Sequence, residues 1–346
     1  MNFEDLYPVQ GMFLPGELIH LIAEVGATEV SNAAIHLTIF HLAEEVETIE
    51  FPISLEESTK AFSLSFQLPL TVPRGYGAKA ELINEKGEVV GSASTAFDVL
   101  ESWIDFPRYG FLTDFSSGRQ DIEETVSNLA RYHINGLQFY DWQYRHDHML
   151  PPSEMYIDPL GRELSLDTVR RFINEAHKHN IAAMPYLAVY AASLDFWSAH
   201  ENWRLFDKSA QPILFEDFLG IMDPSPGSPW VDHLLNECDR TLSALPFDGL
   251  HIDQYGDPKE GFNHRGEEVD IPAAFHHFIA AAKRQLPESA VTFNAVGNWP
   301  IDALTSAPQD FIYIEIWPPT PFYRDLREVI SNARKASGGK PVMIAL

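Results

Sequence analysis

The sequence predicts two blocks of different fold class: an all-β sandwich over residues 1–102 and a parallel α/β barrel of (β/α)8 type over 103–346. Three observations carry this reading. Before residue 102, apolar and polar residues alternate in short runs, as in half-buried antiparallel strands. After it, short apolar runs alternate with amphipathic stretches of helical period, the mark of repeated strand–helix units. In that second block most strand-like runs end on polar or aromatic residues, and a parallel barrel delivers such residues to one face.

In the first block, residues 35–40 and 61–68 alternate cleanly, and 78–83 and 88–93 flank the turn Asn84-Glu85-Lys86-Gly87 as a hairpin. Short strands at this spacing suggest an immunoglobulin-like sandwich. No catalytic cluster is evident there, so a packing or accessory role is expected. In the second block the expected strands are 109–112, 134–139, 181–186, 249–252, 290–293, 311–314 and 341–346. Helices are expected over 121–132 and 165–179, the latter capped by Ser165, from Ser228-Pro229 onward, over 272–286, after Pro300, and from Thr320-Pro321 to Gly338. A loop is expected over 190–228. Seven strands are counted, so the sequence reads as a barrel cut short before its eighth strand.

Composition narrows the function. There are 24 basic residues against 50 acidic ones, a formal net charge of −26, which argues against nucleic acid and anionic membrane as partners. The single Cys238 excludes an intrachain disulfide and a cysteine zinc cluster. No Gly-rich phosphate loop is found, and no cofactor is expected. Residues 1–11 are acidic and lack a basic, apolar leader. As written the chain reads as cytoplasmic, or as secreted if a signal segment has been removed.

The residues just past the expected strands form a set: Asp114, then Tyr140, Asp141 and Trp142, Tyr186, Asp253 and Gln254, Asn294, and Glu315 with Trp317. Two carboxylates among aromatic platforms suit glycoside hydrolysis, in which one attacks the anomeric carbon and the other donates a proton. Glu315 lies between Ile314 and Ile316, and burial there would raise its pKa and suit the acid. Asp253 has hydrogen-bonding neighbours in sequence, which suits an ionised nucleophile. The ordinary alternatives are a helix cap for Asp253 and a buried structural pair for Glu315. His146, Asp147 and His148, with Asp141, raise a metal question, but their spacing matches no metal motif. They read as a polar loop over the site, with no metal expected.

The segment Phe139-Tyr140-Asp141-Trp142-Gln143-Tyr144-Arg145-His146-Asp147 resembles the FYDW-x-YRHD segment of glycoside hydrolase family 66. Residues 109–115 are similar to that family's first barrel strand. Residues 247–253 are similar to its fourth, which ends in the nucleophile, and 313–317 to its sixth, which carries the acid/base. The family contains endo-dextranases and cycloisomaltooligosaccharide glucanotransferases. The resemblance implies a retaining mechanism on α-1,6-linked glucan or isomaltooligosaccharide, with Asp253 as nucleophile and Glu315 as acid/base. It implies substrate contacts from Asp114, Tyr140, Asp141, Trp142, His146, Tyr186, Gln254, Asn294 and Trp317. Hydrolysis, cyclising transfer and a non-catalytic glucan-binding remnant stay open at this point.

Overall fold

A computed structural model of the chain describes residues 2–26, 31–55, 61–68, 74–320 and 322–346. Pro321, expected at a helix start, lies outside the described residues. The chain groups into two compact units. One takes residues 1–108 with 121–136 and 175–182, the other 109–120, 137–174 and 183–346.

The first unit holds β1 (Asn2–Pro8), β2 (Ile19–Gly26), β3 (Ser31–His41), β4 (Glu44–Leu55), β5 (Ala61–Phe66), β6 (Arg74–Asn84) and β7 (Val89–Val99). They form two antiparallel sheets, ordered β1-β2-β5 and β4-β3-β6-β7. Alternate residues of β2 are buried along its whole length, as a strand with one covered face requires. Leu21, Val25 and Leu64 from one sheet and Leu37, Ala80 and Leu82 from the other share one core, so the unit is a sandwich. Helix α1 (Ile122–Arg131) also belongs here, and its Arg131 guanidinium lies 4.1 Å from the centre of the Tyr7 ring.

The second unit is built on β8 (Tyr109–Leu112), β9 (Gly136–Phe139), an added hairpin of β10 (Met155–Ile157) and β11 (Glu163–Ser165), and β12 (Ala182–Ala188). A small antiparallel sheet of β13 (Ala191–Ser193), β14 (Leu214–Phe215) and β15 (Leu219–Ile221) comes next. The main strands resume with β16 (Gly249–Asp253), β17 (Ala290–Val296), β18 (Ile312–Glu315) and β19 (Val342–Ala345). The seven main strands lie in the order β19-β18-β17-β16-β12-β9-β8, a near-closed parallel barrel with β8 and β19 as its edges. β12 and β16 are buried at every residue, as parallel strands covered on both faces are. Between them run α2 (Leu166–Lys178), α3 (Leu194–Ala199), α4 (Pro229–Ala244), α5 (Ile271–Gln285), α6 (Ile301–Ser306) and α7 (Tyr323–Ala336).

Local chemistry explains the helix starts. The Ser228 hydroxyl accepts the Trp230 N–H at the head of α4, with Pro229 in first position. Asp270 caps α5 by accepting the Ala273 N–H at 3.0 Å. Two sequence expectations need correction. The expected loop over 190–228 holds β13, α3, β14 and β15, elements of two to six residues, too short for a periodic signal. The strand expected to stop at Phe293 runs on to Val296, so Asn294 lies within β17 rather than past it. Asparagine is a poor strand former, and here the ladder overrides its propensity.

Gly249 leaves no room for a side chain against β17. A Cβ there would stand 2.0 Å from the carbonyl oxygen of Ala290, its partner on β17. We expect Gly249→Ala to cost more than about 3 kcal/mol, as substitutions that force buried backbone apart do. Equilibrium unfolding in urea measures it, and a loss under about 1 kcal/mol would show that the strands part easily.

Candidate active site

The site is assembled by strand register. His251 lies opposite Thr292 and Ile252 opposite Phe293, which sets Asp253 level with Asn294. On the other side Asn294 pairs with Tyr313 and Val296 with Glu315. Gly297, at φ +61°, turns the chain out of β17, and its N–H holds the Glu315 carbonyl at 2.9 Å. A cavity of about 420 Å3 opens at these strand ends. It is lined by Gln138, Tyr140, His251, Asp253, Asn294, Tyr313, Glu315 and Trp317, with Phe111 and Thr113 near β8 and Ala345 and Leu346 at β19.

At its centre the Asn294 amide donates to Asp253 Oδ1 and to Glu315 Oε2, both at 2.8 Å. The two hydrogens of an amide nitrogen diverge by about 120°, so two straight bonds of this length would put the bonded oxygens about 5 Å apart. Asp253 Oδ1 also accepts the Gln254 N–H at 2.8 Å, whereas Oδ2 takes no hydrogen bond from a described residue. Glu315 Oε1 accepts the Trp317 indole N–H at 2.9 Å.

Electrostatics separate the two carboxyls. Asp253 is 8% exposed, and burial pushes its pKa up to about 7. The Gln254 and Asn294 donors pull it down, while the charges of Glu315 and Asp141 reinforce the rise. The sequence placed the burial on Glu315, and this is corrected: Glu315 stands partly exposed, because Ile312 and Ile314 take the sealed face of the strand and Glu315 the other. Beneath the carboxyls, the His251 ring stacks on Tyr109 at 5.6 Å and meets the edge of Tyr313 at 4.8 Å. Burial pushes the His251 pKa down to about 3, so it is neutral at ordinary pH.

Of the expected substrate-contact residues, Tyr140, Asn294 and Trp317 line the cavity and the others do not. Trp142 is fully buried, its N–H on the Tyr186 carbonyl at 3.3 Å and its ring 5.2 Å from Phe247. Tyr186 and His146 are buried behind the wall, their rings edge to face at 6.3 Å. Gln254 turns away to the carbonyls of Asn294 and Trp299. Asp141 faces Arg162 at 3.3 Å. Asp114 is exposed, accepts the Ser116 N–H and pairs with Arg119, the geometry of an Asx turn beyond β8. Gln138, His251 and Tyr313 were missed, although a signal exists. Each stands two residues before Tyr140, Asp253 or Glu315, and on a strand that spacing shares a face.

Comparison with known proteins gives a consistent set of likenesses. The model for glycosyl hydrolase family 66 matches residues 10–346. A cycloisomaltooligosaccharide glucanotransferase from Niallia circulans is 28% identical over 99% of this chain. A dextranase from Streptococcus salivarius is 24% identical over 82% of it. The chain spans 38% of the length of each of these curated relatives. The crystal structure of a Paenibacillus cycloisomaltooligosaccharide glucanotransferase complexed with cycloisomaltoheptaose superposes with a TM-score of 0.92 at 27% identity. It covers 99% of this chain and 53% of that one.

Two outcomes follow from the burial pattern. Trp142→Ala should cost about 3–5 kcal/mol of stability, the range for a large core aromatic, measured by chemical denaturation. A stable variant that loses only sugar affinity would return Trp142 to the cavity wall. Asp253 has a folded pKa near 7 against an ordinary 3.8, so the folded chain holds its proton more tightly. Stability at this group therefore falls as pH rises from about 4 to about 7. Asp253→Asn removes the buried charge and should unfold later than the parent chain at pH 8, by roughly 1–3 kcal/mol, with the gap closing near pH 4. Thermal melts across that range test it, and an Asn variant less stable at pH 8 would contradict it.

Proposed function

The chain belongs to glycosyl hydrolase family 66, and on that premise we propose that it is a retaining glycoside hydrolase cleaving internal α-1,6-glucosidic bonds of dextran. The observation that carries the reading is the pair of strand-end carboxyls bonded to one amide nitrogen in the cavity wall. A separation of about 5 Å, as straight bonds to one nitrogen imply, supports retention, since inversion needs a wider gap for a water. The substrate class rests on relatives named for cycloisomaltooligosaccharide transfer and for dextran. The three- and four-stranded antiparallel sheets support an immunoglobulin-like reading of the N-terminal sandwich.

In this mechanism Asp253 attacks and Glu315 protonates the departing oxygen. A pKa near 7 would by itself suit an acid, but the hydrogen bonds argue for the nucleophile. Two N–H donors fix Asp253 Oδ1 and favour its ionised form, leaving Oδ2 open to reach the anomeric carbon. Glu315 stands on the more open side, beside Trp317, where a leaving sugar can depart and a water or second sugar can enter. Tyr140 and Trp317 supply exposed aromatic faces for sugar rings.

A second reading is favoured by the match to glucanotransferases across 99% of the chain. There the acceptor is a hydroxyl of the same glucan and the product a cyclic isomaltooligosaccharide. Product analysis on dextran separates linear from cyclic products. Binding of dextran without any cleavage would leave a glucan-binding protein.

The division of labour is tested with an aryl isomaltoside bearing a good leaving group. Glu315→Gln should still form the glycosyl-enzyme, and azide should restore its turnover by about 10-fold or more with retained configuration. Asp253→Asn should give at best the inverted azide. The opposite pairing of products would exchange the roles, and near-normal dextran hydrolysis by either variant would remove that residue from the mechanism.

A further inference from the structure

We propose that Asn294 is a positioning residue that accompanies the negative charge as it passes between Asp253 and Glu315, by donating one amide hydrogen to each at the same time. The inference rests on the retaining reading above and adds to it a role for Asn294 that works through the two carboxyls and not through the breaking bond.

Three observations support it. Both bonds are 2.8 Å long, and Asn294 is 4% exposed within β17, between the strands that carry its two partners. The orientation of the amide is forced: turned over, its oxygen would face two carboxyl oxygens. In the observed orientation Asn294 Oδ1 is buried and accepts no hydrogen bond from a described residue. Folded proteins rarely leave a buried acceptor unpaired, and those that do so commonly serve a site. Here the cost falls on the oxygen so that the nitrogen can serve both acids.

The reaction gives this arrangement its use. The retaining cycle starts from the form with Asp253 as a carboxylate and the proton on Glu315. When Asp253 Oδ2 bonds to the anomeric carbon, the glycosidic C–O bond breaks. Its electron pair stays on the departing oxygen, which takes the Glu315 proton. Asp253 is now a neutral ester and Glu315 a carboxylate. In the second half, Glu315 takes a proton from water or an incoming sugar hydroxyl, that oxygen bonds to the anomeric carbon, and the ester electrons return to Asp253. The pair carries one negative charge throughout, first on one member and then on the other. Asn294 therefore always has one anionic and one neutral acceptor and never has to turn. A donor already in place where charge develops needs no reorganisation, and its bond strengthens as its partner ionises. The amide should help both half-reactions and not one alone.

The test uses Asn294→Ala and Asn294→Ser in the full chain, each confirmed folded by near-ultraviolet circular dichroism. Without substrate, 13C-carboxyl NMR follows the ionisation of Asp253. Losing a donor to the ionised form should move its midpoint upward in Asn294→Ala. With a dinitrophenyl α-isomaltoside, the burst rate reports the first half-reaction and the steady-state rate the second. Both should fall about 10- to 100-fold in Asn294→Ala, the scale of one hydrogen bond to a charge, with KM little changed. Asn294→Ser, whose hydroxyl serves one acid at a time, should fall between. An unmoved Asp253 midpoint, a loss confined to one half-reaction, or a change in KM alone would each overturn the inference. Absence of retained-configuration turnover in the parent chain sinks instead the function proposed above, whereas the titration judges the bridge without any turnover.

Discussion

The parallel pairing of β16 with β17 and of β17 with β18 sets the height of every group in the cavity. Side chains on adjacent parallel strands share a face only when their registers agree, and a slip of one residue would turn Asp253 or Glu315 into the outer layer. Gly249 and Ala290 hold that register at the base of the sheet by an approach no side chain could allow. Three strands held in this way bring two acids and an amide, 62 residues apart from first to last, within hydrogen-bonding distance of each other.

A layer of the barrel below, Tyr109, His251 and Tyr313 form a second tier. These are bulky, neutral groups in mutual contact, and they withdraw water from beneath Asp253. Burial is the largest cause of the raised carboxyl pKa, and this tier lies on the buried side of it. A site of this kind carries its own cost. The chain buries a carboxyl whose charge opposes folding above neutral pH, and Asn294 Oδ1 and His251 Nε2 meet no hydrogen-bond partner among the described residues. Sites that depart from the rules of a stable core are where function is concentrated.

How much could be read beforehand depended on whether a residue sat on regular strand. The strands ending at Asp253 and Glu315 were legible, because an apolar run meeting a carboxylate leaves few other places for it in a parallel barrel. The same alternation would have found Gln138, His251 and Tyr313 had it been carried two residues back. Trp142 shows where it fails. Asp141 adopts φ +52°, a left-handed conformation that interrupts the strand's alternation, and Trp142 does not return to the face of Tyr140. Composition gives no warning of this, since asparagine and aspartate enter that region more readily than other residues and sequence does not say when they do. The small β13–β15 sheet was lost for another reason: strands of two or three residues carry no period to detect.

Trp317 has one further consequence. Its ring is 56% exposed at the rim of the cavity while its indole N–H is bonded to Glu315. Two other tryptophans, Trp142 and Trp230, are fully buried, with their N–H groups on backbone carbonyls. Indole emission responds to solvent and to the charge at its nitrogen. The light from Trp317 is therefore open to an influence from which those two are shielded: the arrival of anything at the cavity rim that covers the ring from water. One of the chain's seven tryptophans thus stands as a natural chromophore at the rim of the cavity.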